Sequence, residues 1–585
     1  MVRPVRLRDE IRTWETSTIL LWAGIVMVGV LAVCLDGGVH LWAWWTGQPS
    51  PSWNPFTLVI ALLKGSLKAS AGMWACVGGV AALVPVVVLV VRLARRRVRG
   101  RRRRGDEVSA LVGYRRDTEV LGRGQVESKA KRLGVETEAF GLPIGRAVSD
   151  NRPLYSDFEA VGVVIAGTRT GKTTCWVVPR ILAAPGLVVA TSNKPDVVQL
   201  TREQRQERGK VWVFDPQEIV GEPQSFWWNP LSYVTGSARA TAMAQALMDA
   251  SRPAGGQSSN PFFDVGARDL VARLLLAAAR SGRSLVEVKR WVNDPSDDEP
   301  VLLLRQAGEY EKADELQATL NMVEVTRSGI FAGAQQIMGF TADERTMSWV
   351  TPNHWIPELC LEELLHSTDT LYLLSQEGPA SAAPVVTALT MAFTETAMEH
   401  AKRQPGGRLS VPVLVELDEA ANVCRWSQLP SLYSHFGSRG ILVEATLQTW
   451  SQGISAWGKE GIQTLWSAAN VKIYGGGVTE PEFLSMLSDL IGSHWVDSIQ
   501  TTSSQGGSSS TRSLQAQERK IASVDQLGAL ARNRAWVLAS GSTPVLARLI
   551  PFWEETIPTT SSSMRRVPRW WQCSKSSSMS KEGAK

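Results

Sequence analysis

A lysine and a threonine end a short glycine-containing segment in the first third of the chain. Residues 166–173 read AGTRTGKT and directly follow the apolar run 161–165. A strand, a loop with glycine and the start of a helix, in that order, form a phosphate-binding loop, whose backbone N–H groups surround the phosphates of a nucleotide. Lys172 would contact the β- and γ-phosphates, and the Thr173 hydroxyl would bind Mg²⁺. The residues expected to contact the nucleotide are Gly167, Thr168, Arg169, Thr170, Gly171, Lys172, Thr173 and Thr174.

The loop departs from the strict pattern at one position, since Ala166 stands where a glycine is expected. An ordinary turn between a strand and a helix, with a surface lysine, is the alternative interpretation. The apolar run before the loop predicts a buried strand there, which favours the nucleotide site.

Two adjacent carboxylates follow a second apolar run, which predicts the other half of a nucleotide site. Residues 411–417 read as a strand, and Asp418 and Glu419 come directly after it. In such a site the aspartate holds Mg²⁺ through water, and the glutamate polarises the water that attacks the γ-phosphate. Solvated acids at the end of a strand are the alternative. The phosphate loop upstream favours the functional interpretation, with Thr173 and Asp418 as the metal-binding residues.

Two further side chains are candidates for the same reaction. Gln448 follows the next predicted strand, 441–446, and its amide could bind the γ-phosphate or the attacking water. Arg439 lies in the glycine-containing turn 437–440 and could reach the nucleotide of a neighbouring subunit. A loop glutamine and a solvated turn arginine are the open alternatives. The predicted catalytic residues are therefore Lys172, Asp418, Glu419, Gln448 and Arg439.

The elements that must position these residues alternate between strand and helix, which is typical of an α/β fold with a parallel sheet. We expect a nucleotide-binding domain formed by residues 151–235 and 367–557. Between these two parts apolar residues recur at helical spacing, so 236–366 is expected to be an inserted all-α domain. A polar connector over 105–150 precedes the domain. A disordered tail over 558–585, rich in serine and basic residues, follows it.

Two long uncharged runs near the N-terminus predict two transmembrane helices. They cover residues 16–35 and 69–91, and the second would span roughly 35 Å as a helix. Arginines crowd residues 92–104, whereas 36–68 contains two lysines and no arginine. This charge bias puts both termini in the cytoplasm, so residues 1–104 are expected to anchor the chain in a bacterial inner membrane. A signal peptide for the first run and a DNA phosphate contact for the arginines are the alternatives.

Charge and cysteine content bear on three further questions: DNA binding, a zinc site and the redox state of the compartment. The formal net charge is +6, but residues 1–104 hold 15 Lys or Arg against 4 Asp or Glu, so the remainder of the chain is net acidic. Global charge therefore gives no support to DNA binding by the body of the chain, and any such contact must be local. The six cysteines form no Cys-x-x-Cys pair, which argues against a zinc site and favours a reduced, cytosolic body.

The order of these features resembles the type IV secretion coupling proteins, the TraG/TraD-like conjugative DNA transfer ATPases. The similarity covers most of the chain, from the two uncharged runs to the Asp-Glu strand. Its specific motifs are 166–172, 213–216, 229–231, 371–374, 417–420 and Gln448. Residues 191–196 stand where many relatives carry an Asp-Pro-Lys-Gly segment, and Gly167 stands where proline is frequent.

The resemblance implies a RecA-like P-loop NTPase domain, with ATP and Mg²⁺ as cofactors, in a homo-hexameric ring at the cytoplasmic face of the membrane. Members of the family couple ATP hydrolysis to the export of single-stranded DNA with its attached relaxase, through the proteins of a type IV secretion channel. In such a ring, Arg439 or another basic residue of one subunit would lie against the nucleotide of the next.

Two other functions remain open from the sequence. A double-stranded DNA pump of the septal type would share the motor, but such pumps usually add a C-terminal winged-helix domain, and the residues after about 550 are few and polar. A nucleotide-regulated cargo receptor without motor activity would bind the DNA–protein cargo and hand it on. An ABC-type transporter is disfavoured, because no Leu-Ser-Gly-Gly-Gln-like signature lies between the two nucleotide motifs.

Overall fold

The structure, a computed structural model, falls into two compact units, and the boundary between them follows Arg103. It describes residues 16–49, 52–64, 70–83, 85, 106–252, 260–378, 381–503 and 510–554. The second unit, called the body below, contains every residue that the sequence proposes for nucleotide chemistry.

The N-terminal unit is helical over the residues described. Its helices are Thr16–Thr46 and Pro55–Leu63, with a further helical stretch over 71–83. The first predicted span, 16–35, lies inside the longest of them. Of the second predicted span, 69–91, only residues 70–83 and 85 are described, and the remainder lies outside the described residues. Among the helices that the structure describes, none combines the length and the apolar character needed to cross a bilayer.

The body is built on one large sheet. Thirteen strands are described in the chain, namely β1 (Leu142–Ala147), β2 (Pro153–Ser156), β3 (Gly162–Ile165), β4 (Val188–Ser192), β5 (Val211–Phe214), β6 (Thr370–Leu374), β7 (Val413–Leu417), β8 (Ile441–Leu447), β9 (Val471–Tyr474), β10 (Ser493–Ser503), β11 (Ser510–Lys520), β12 (Arg534–Ala539) and β13 (Val545–Arg548). Eleven of them form the sheet in the order β2-β1-β13-β12-β9-β3-β8-β7-β4-β6-β5, and β10 and β11 pair separately as a hairpin.

Seven neighbouring strands of this sheet, from β9 to β5, run parallel, and β12, β13, β1 and β2 extend it as an antiparallel edge. β8 lies between β3, which leads into the phosphate loop, and β7, which leads into Asp418. The carboxyl ends of parallel strands meet at one edge of a sheet. The phosphate loop, Asp418 and the residues after β8 are therefore brought to the same edge.

The parallel strands are buried on both faces, as their nearly continuous apolar sequences predict. Every residue of β3, β4, β6, β7 and β8 is buried. Alternate side chains enter different cores, because successive residues of a strand point to opposite faces. Val163 and Val415 belong to one hydrophobic cluster, and Val164 and Leu414 belong to the other.

Helices cover the two faces of the sheet. Outside the predicted insertion they are Arg123–Arg132, Val178–Ala183, Asp196–Gln206, Ala383–Arg403, Ala420–Val423, Leu429–Phe436, Trp450–Ala468, Pro481–Ile491 and Val524–Gly528. Between β5 and β6 the described residues form helices and no strand, namely Pro230–Tyr233, Ser237–Ser251, Pro261–Ser281, Leu285–Asn293, Glu299–Gln306, Tyr310–Leu320, Glu324–Ile337, Glu344–Ser348 and Leu361–Leu364.

Local sequence sets the ends of the insertion helices. The helix Leu285–Asn293 begins at a capping box, in which Ser284 and Glu287 satisfy each other's backbone N–H groups. Gly282, with a φ of 67°, ends the helix before it in the left-handed conformation that glycine favours. The apolar periodicity over 313–325 predicts one helix, but the structure divides it at residues 321–323, where Tyr310–Leu320 ends and Glu324–Ile337 has not begun.

The margins of the body contain structure that the sequence pattern does not reveal. The stretch 105–150, expected as a polar connector, includes the helix Arg123–Arg132 and β1, which pairs with β13 at the edge of the sheet. The predicted tail, 558–585, lies outside the described residues.

A buried ion pair fixes the first described residues of the body to the sheet. Arg534, on β12, donates from Nε to Asp106 Oδ1 at 2.7 Å and from Nη2 to Asp106 Oδ2 at 2.8 Å. Asp106 is 2% exposed and Arg534 is 5% exposed. Such a pair, joined by two hydrogen bonds, is compatible with burial because each charge satisfies the other. If one partner is removed, the other charge stays buried without a counter-charge.

We expect Arg534→Ala to lower the free energy of unfolding by about 3–5 kcal/mol, because it leaves the Asp106 carboxylate buried without its counter-charge. Urea unfolding followed by tryptophan fluorescence measures the loss. The double variant Asp106→Ala/Arg534→Ala should recover part of it, since no buried charge is left uncompensated. A double variant less stable than Arg534→Ala would contradict this account of the pair.

Candidate functional site

The phosphate loop rests on a glycine turn that follows β9. The Gly167 N–H donates to the Gly476 carbonyl at 2.8 Å. A Cβ at position 167 would lie 2.1 Å from the Gly477 carbonyl oxygen, so no side chain fits there. Glycine in both segments therefore allows the two backbones to approach this closely.

Two residues of the loop adopt a positive φ before the helix begins. Arg169 has a φ of 58° and Gly171 a φ of 96°. Between them, the Thr170 hydroxyl donates to the Gly167 carbonyl at 2.8 Å. A backbone that changes hand over a few residues turns its N–H groups into a concave, anion-binding arrangement. The helical turn Thr173–Val177 and the helix Val178–Ala183 continue from the loop, as a phosphate site requires.

The side chains of Lys172 and Asp418 are largely buried and interact electrostatically, and the region that they share is called the cleft below. Burial lowers the pKa of the Lys172 ammonium, while the charges of Asp418 and Glu419 act in the opposite direction. Burial also raises the pKa of Asp418 to about 7, against the effect of the Lys172 charge. Within the described part of the chain, neither Lys172 Nζ nor Asp418 Oδ1 has a hydrogen-bond partner, although both atoms are buried.

The two unpartnered atoms fit a magnesium-bound nucleotide. Buried polar atoms without partners cost free energy, so their presence in a native fold calls for an explanation such as a ligand. Phosphate oxygens would satisfy the Lys172 ammonium, and a metal with its water would satisfy the Asp418 carboxylate. The Thr191 hydroxyl donates to the Asp418 carbonyl at 3.2 Å and fixes its backbone. The residue types at the cleft therefore suit the cofactors expected from the sequence.

Glu419 is held by amide side chains from three directions. Gln448 Nε2 donates to Glu419 Oε1 at 2.7 Å. Asn193 and Asn422 both donate from Nδ2 to Glu419 Oε2, at 3.0 and 3.3 Å. Glu419 has a φ of 54° and a ψ of 46°, so its backbone is left-handed at the turn after β7. Gln448, predicted from its place after β8, thus meets Glu419 directly, whereas Asn193 and Asn422 are contacts that the sequence pattern did not single out.

Arg439 lies away from these residues, because it and Gln448 flank opposite ends of the same strand, β8. It precedes β8 and Gln448 follows it, so the seven residues of the strand separate them by roughly 20 Å. Arg439 Nη1 donates to the Gly407 carbonyl at 3.0 Å at that opposite edge of the sheet. Arg439 therefore takes no part in the site formed by its own chain.

Comparison with known proteins gives matches of three kinds. The sequence model of a family described as the TraM recognition site of TraD and TraG matches residues 412–532. The conjugal transfer protein TraG of Agrobacterium fabrum is 22% identical over 396 residues, which cover 66% of this chain and 59% of that protein. TraG of Rhizobium radiobacter is 22% identical over 399 residues, covering 66% of this chain and 60% of that one. The chain thus spans about three fifths of the length of these curated relatives.

Solved structures share the fold. The unbound bacterial conjugative coupling protein TrwBdeltaN70 superposes with a TM-score of 0.54 at 15% identity, over 75% of this chain and 93% of that one. The resemblance to the type IV secretion coupling proteins is confirmed. TrwB in complex with the ATP analogue ADPNP gives a TM-score of 0.52 at 15% identity, over 75% of this chain and 94% of that one. The α/β core fold expected from the resemblance is confirmed with it.

The segment matched by the family model holds the carboxylate half of the site. Residues 412–532 begin at β7 and include β8, β9 and the hairpin of β10 and β11. They contain Asp418, Glu419, Arg439 and Gln448, whereas the phosphate loop lies outside the matched segment.

Two buried glutamates lie beneath the site, and the sequence reasoning missed them. Glu416 on β7 stands opposite Glu444 on β8 in the sheet register, and both are fully buried. Arg180, from the helix after the phosphate loop, forms an ion pair with Glu444. A Cβ at Gly162 of β3 would lie 2.0 Å from Glu444 Oε2, so glycine makes room for this carboxylate. One guanidinium thus faces two carboxyl groups in the centre of the sheet.

Because one guanidinium faces two carboxyl groups in this cluster, the free energy of unfolding is expected to depend on pH. Burial and the neighbouring Glu444 raise the pKa of Glu416 well above its ordinary value of 4.5, and burial raises the pKa of Glu444 to about 7. In the unfolded chain both groups lose their protons near their ordinary pKa. Their contribution is therefore fully present below about pH 4.5 and is lost as the pH rises through 7 and above.

We expect Glu416→Gln to stabilise the protein at pH 8, on the order of 1 kcal/mol, and to change it little at pH 5. The amide removes a carboxyl group whose proton the fold favours and the unfolded chain releases at pH 8. Thermal unfolding midpoints at the two pH values measure the difference, with the exposed Glu460→Gln as control. Equal shifts at both pH values would show that ionisation of Glu416 is not the cause.

We expect Gly167→Ala to displace the phosphate loop and to weaken nucleotide binding by at least about tenfold, since the added methyl group meets backbone rather than a movable side chain. Binding of a fluorescent ATP analogue measures the loss. Gly124→Ala is the matched control, because a Cβ at that helix position has no atom within 4 Å. Normal binding by Gly167→Ala would contradict the close contact with Gly477.

Proposed function

We propose that this chain is a membrane-anchored, ATP-driven translocase that couples DNA, or DNA with a bound protein, to a type IV secretion channel. The observation that carries the proposal is the buried cleft in which Lys172 Nζ and Asp418 Oδ1 lack partners among the described residues. The cleft lies at the carboxyl edge of a parallel sheet, where α/β proteins bind ligands. A structural lysine and aspartate would bond to each other or to the fold, as Asp106 and Arg534 do.

The proposed nucleotide contacts follow from the loop and its chemistry. Residues 167–174 surround the phosphates of ATP with their backbone N–H groups, and the Lys172 ammonium binds the β- and γ-phosphates. The Thr173 hydroxyl and the Asp418 carboxylate hold Mg²⁺, whose charge offsets that of the phosphate oxygens when it is bound. The related coupling protein TrwB has been solved with ADPNP and with ADP and Mg²⁺, which supports these cofactors for the present chain.

The proposed hydrolytic residues are Glu419 and Gln448. Glu419 polarises the attacking water, and Gln448 lies close enough to bind either that water or the γ-phosphate after it releases the glutamate. Arg439 lies at the far end of β8, so its contribution requires the nucleotide of a neighbouring subunit, and a hexameric ring would supply that arrangement.

The proposed partners come from the relatives. TraG of Agrobacterium fabrum is a conjugal transfer protein, and the family matched over 412–532 is described as a TraM recognition site. We infer that the cargo is single-stranded DNA with its relaxase, and that channel proteins and a TraM-like protein meet this chain. The two uncharged runs and the arginines that follow them support an anchor in residues 1–104, with both termini in the cytoplasm.

Two variants of the full chain separate binding from turnover. We expect Lys172→Ala to weaken ATP binding by about tenfold or more, because the phosphates lose their ammonium partner. Glu419→Gln should bind ATP normally but lower turnover by about 10²-fold or more, because the amide cannot accept a proton. Analogue fluorescence measures binding, and phosphate release measures turnover.

Lys459→Ala, at an exposed position of the helix Trp450–Ala468, controls for a change of charge. If Lys172→Ala and Glu419→Gln both hydrolyse ATP like the wild type, the motor assignment is wrong. DNA transfer by Glu419→Gln at the wild-type level in a mating assay would instead favour the receptor function.

A further inference from the structure

The hydrogen bond to Glu419 determines which end of the Asn193 amide faces the carboxylate. A carboxylate accepts hydrogen bonds and donates none, so the Asn193 group that faces Glu419 Oε2 must be the NH₂ group. The other end of the same amide, Oδ1, is buried and has no partner among the described residues. The side chain therefore gives up one hydrogen bond in order to make the bond to Glu419. A residue placed only for the stability of the fold would satisfy both ends.

The three amides limit what Glu419 can do as a base. A carboxylate offers about four acceptor positions, and the bonds from Asn193, Asn422 and Gln448 occupy three of them. A hydrogen bond from an amide is strongest to the fully charged carboxylate and weakens as the carboxylate takes a proton. The bonds therefore stabilise the ground state more than a transition state in which Glu419 accepts a proton from water, and they raise the barrier between the two.

Asn193 is in turn bonded to the end of a third strand. Gln376, two residues after β6, donates from Nε2 to the backbone carbonyl of Asn193 at 3.3 Å. Gln217, which follows β5, accepts from the Gln376 N–H at 2.8 Å and donates to the Gln376 carbonyl at 3.2 Å. The strand order β7-β4-β6-β5 thus reappears as a row of hydrogen bonds between residues at the strand ends, in which the bonds of Gln376 to Asn193 and of Gln217 to Gln376 each end on backbone.

We propose that Asn193 is a positioning residue that restrains Glu419, and that Gln376 holds Asn193 in the restraining position. The inference rests on the proposed function, since it requires that Glu419 accept a proton from the attacking water. Asn193 touches Glu419 and none of the reacting atoms. Turnover then requires that Glu419 exchange at least one amide bond for the water, and the row of amides at the strand ends sets how readily this occurs.

The test compares steady-state ATP hydrolysis by the full chain and by Asn193→Ala. Removing one hydrogen bond to a charged group should raise kcat about threefold to tenfold, because Asn422 and Gln448 still hold the carboxylate. KM for ATP should stay within about twofold, because Asn193 has no place in the phosphate contacts. A merely structural role would lower kcat or raise KM. Unchanged or lower kcat in a folded Asn193→Ala protein overturns the proposal.

Three further variants make the result specific. Asn193→Ala/Glu419→Gln should be as inactive as Glu419→Gln, because the effect of Asn193 passes through the glutamate. Gln376→Ala should raise kcat in the same direction by a smaller factor, and it serves as the second test if Asn193→Ala does not fold. Gln199→Ala, an exposed residue of the neighbouring helix Asp196–Gln206, should match the wild type. A lower kcat in Gln376→Ala contradicts its holding role.

The outcomes distinguish this proposal from the one on which it rests. If Glu419→Gln is inactive and Asn193→Ala is no faster than the wild type, the restraint is wrong and the motor assignment stands. If Glu419→Gln hydrolyses ATP like the wild type, Glu419 is not the base, and both proposals fail together.

Discussion

Two groups of opposite charge, the Lys172 ammonium and the Asp418 carboxyl, share a buried cleft without bonding to each other, and the surrounding elements hold them there. Burial opposes the charged form of both groups, so it lowers the pKa of Lys172 and raises the pKa of Asp418. A polyanion bound with a divalent cation reverses that preference at both groups at once. The site is therefore matched to a ligand that carries both signs of charge, which describes a nucleotide with its metal better than a free anion or a free cation.

The sheet supplies the rigidity that such a cleft needs. β8 lies between the strand of the phosphate loop and the strand of the two carboxylates, so it fixes the distance between the halves of the site. Beneath them, Arg180 joins the helix after the loop to Glu444 on β8. Gly162 and Gly167 mark the two places where another group approaches β3 and its loop too closely for any side chain. The close approaches at the two glycines and the buried ion pair thus fix the positions of the phosphate loop and of the carboxylates.

Much of the parallel half of the sheet could be predicted from the sequence, and the antiparallel half could not. β3, β7 and β8 agree to within two residues with the predicted runs 161–165, 411–417 and 441–446, because a strand buried on both faces needs a continuous apolar sequence. β1 and β13 mix polar and apolar residues, and they pair although about 400 residues separate them in the chain. Local pattern carries no information about pairing over such a distance.

The same limit applies within the site. Lys172 and the pair Asp418 and Glu419 could be found because their spacing relative to a strand end is local. Asn193 and Gln376 reach the site only because β4 and β6 follow β7 in the sheet. The order of strands in a sheet cannot be predicted from the sequence of any single segment. Glu416 and Glu444 could not be paired without the register of β7 and β8. The role predicted for Arg439 depends on a second subunit, which lies beyond the information in one folded chain.

The ion pair between Asp106 and Arg534 has a mechanical consequence. Asp106 is the third residue of the body and is bound to the sheet through Arg534, so tension applied to the chain before Asp106 would reach the sheet at this pair. Arg534 lies on β12, a strand whose ladder with β9 and β13 must shear before the strand can be pulled out. The neighbouring residue Asn533 lies close to Gly171 of the phosphate loop. A load on the pair would therefore act one residue away from a contact of the phosphate loop, so that a pull on the chain from its N-terminal side would reach the neighbourhood of the cradle for the phosphates.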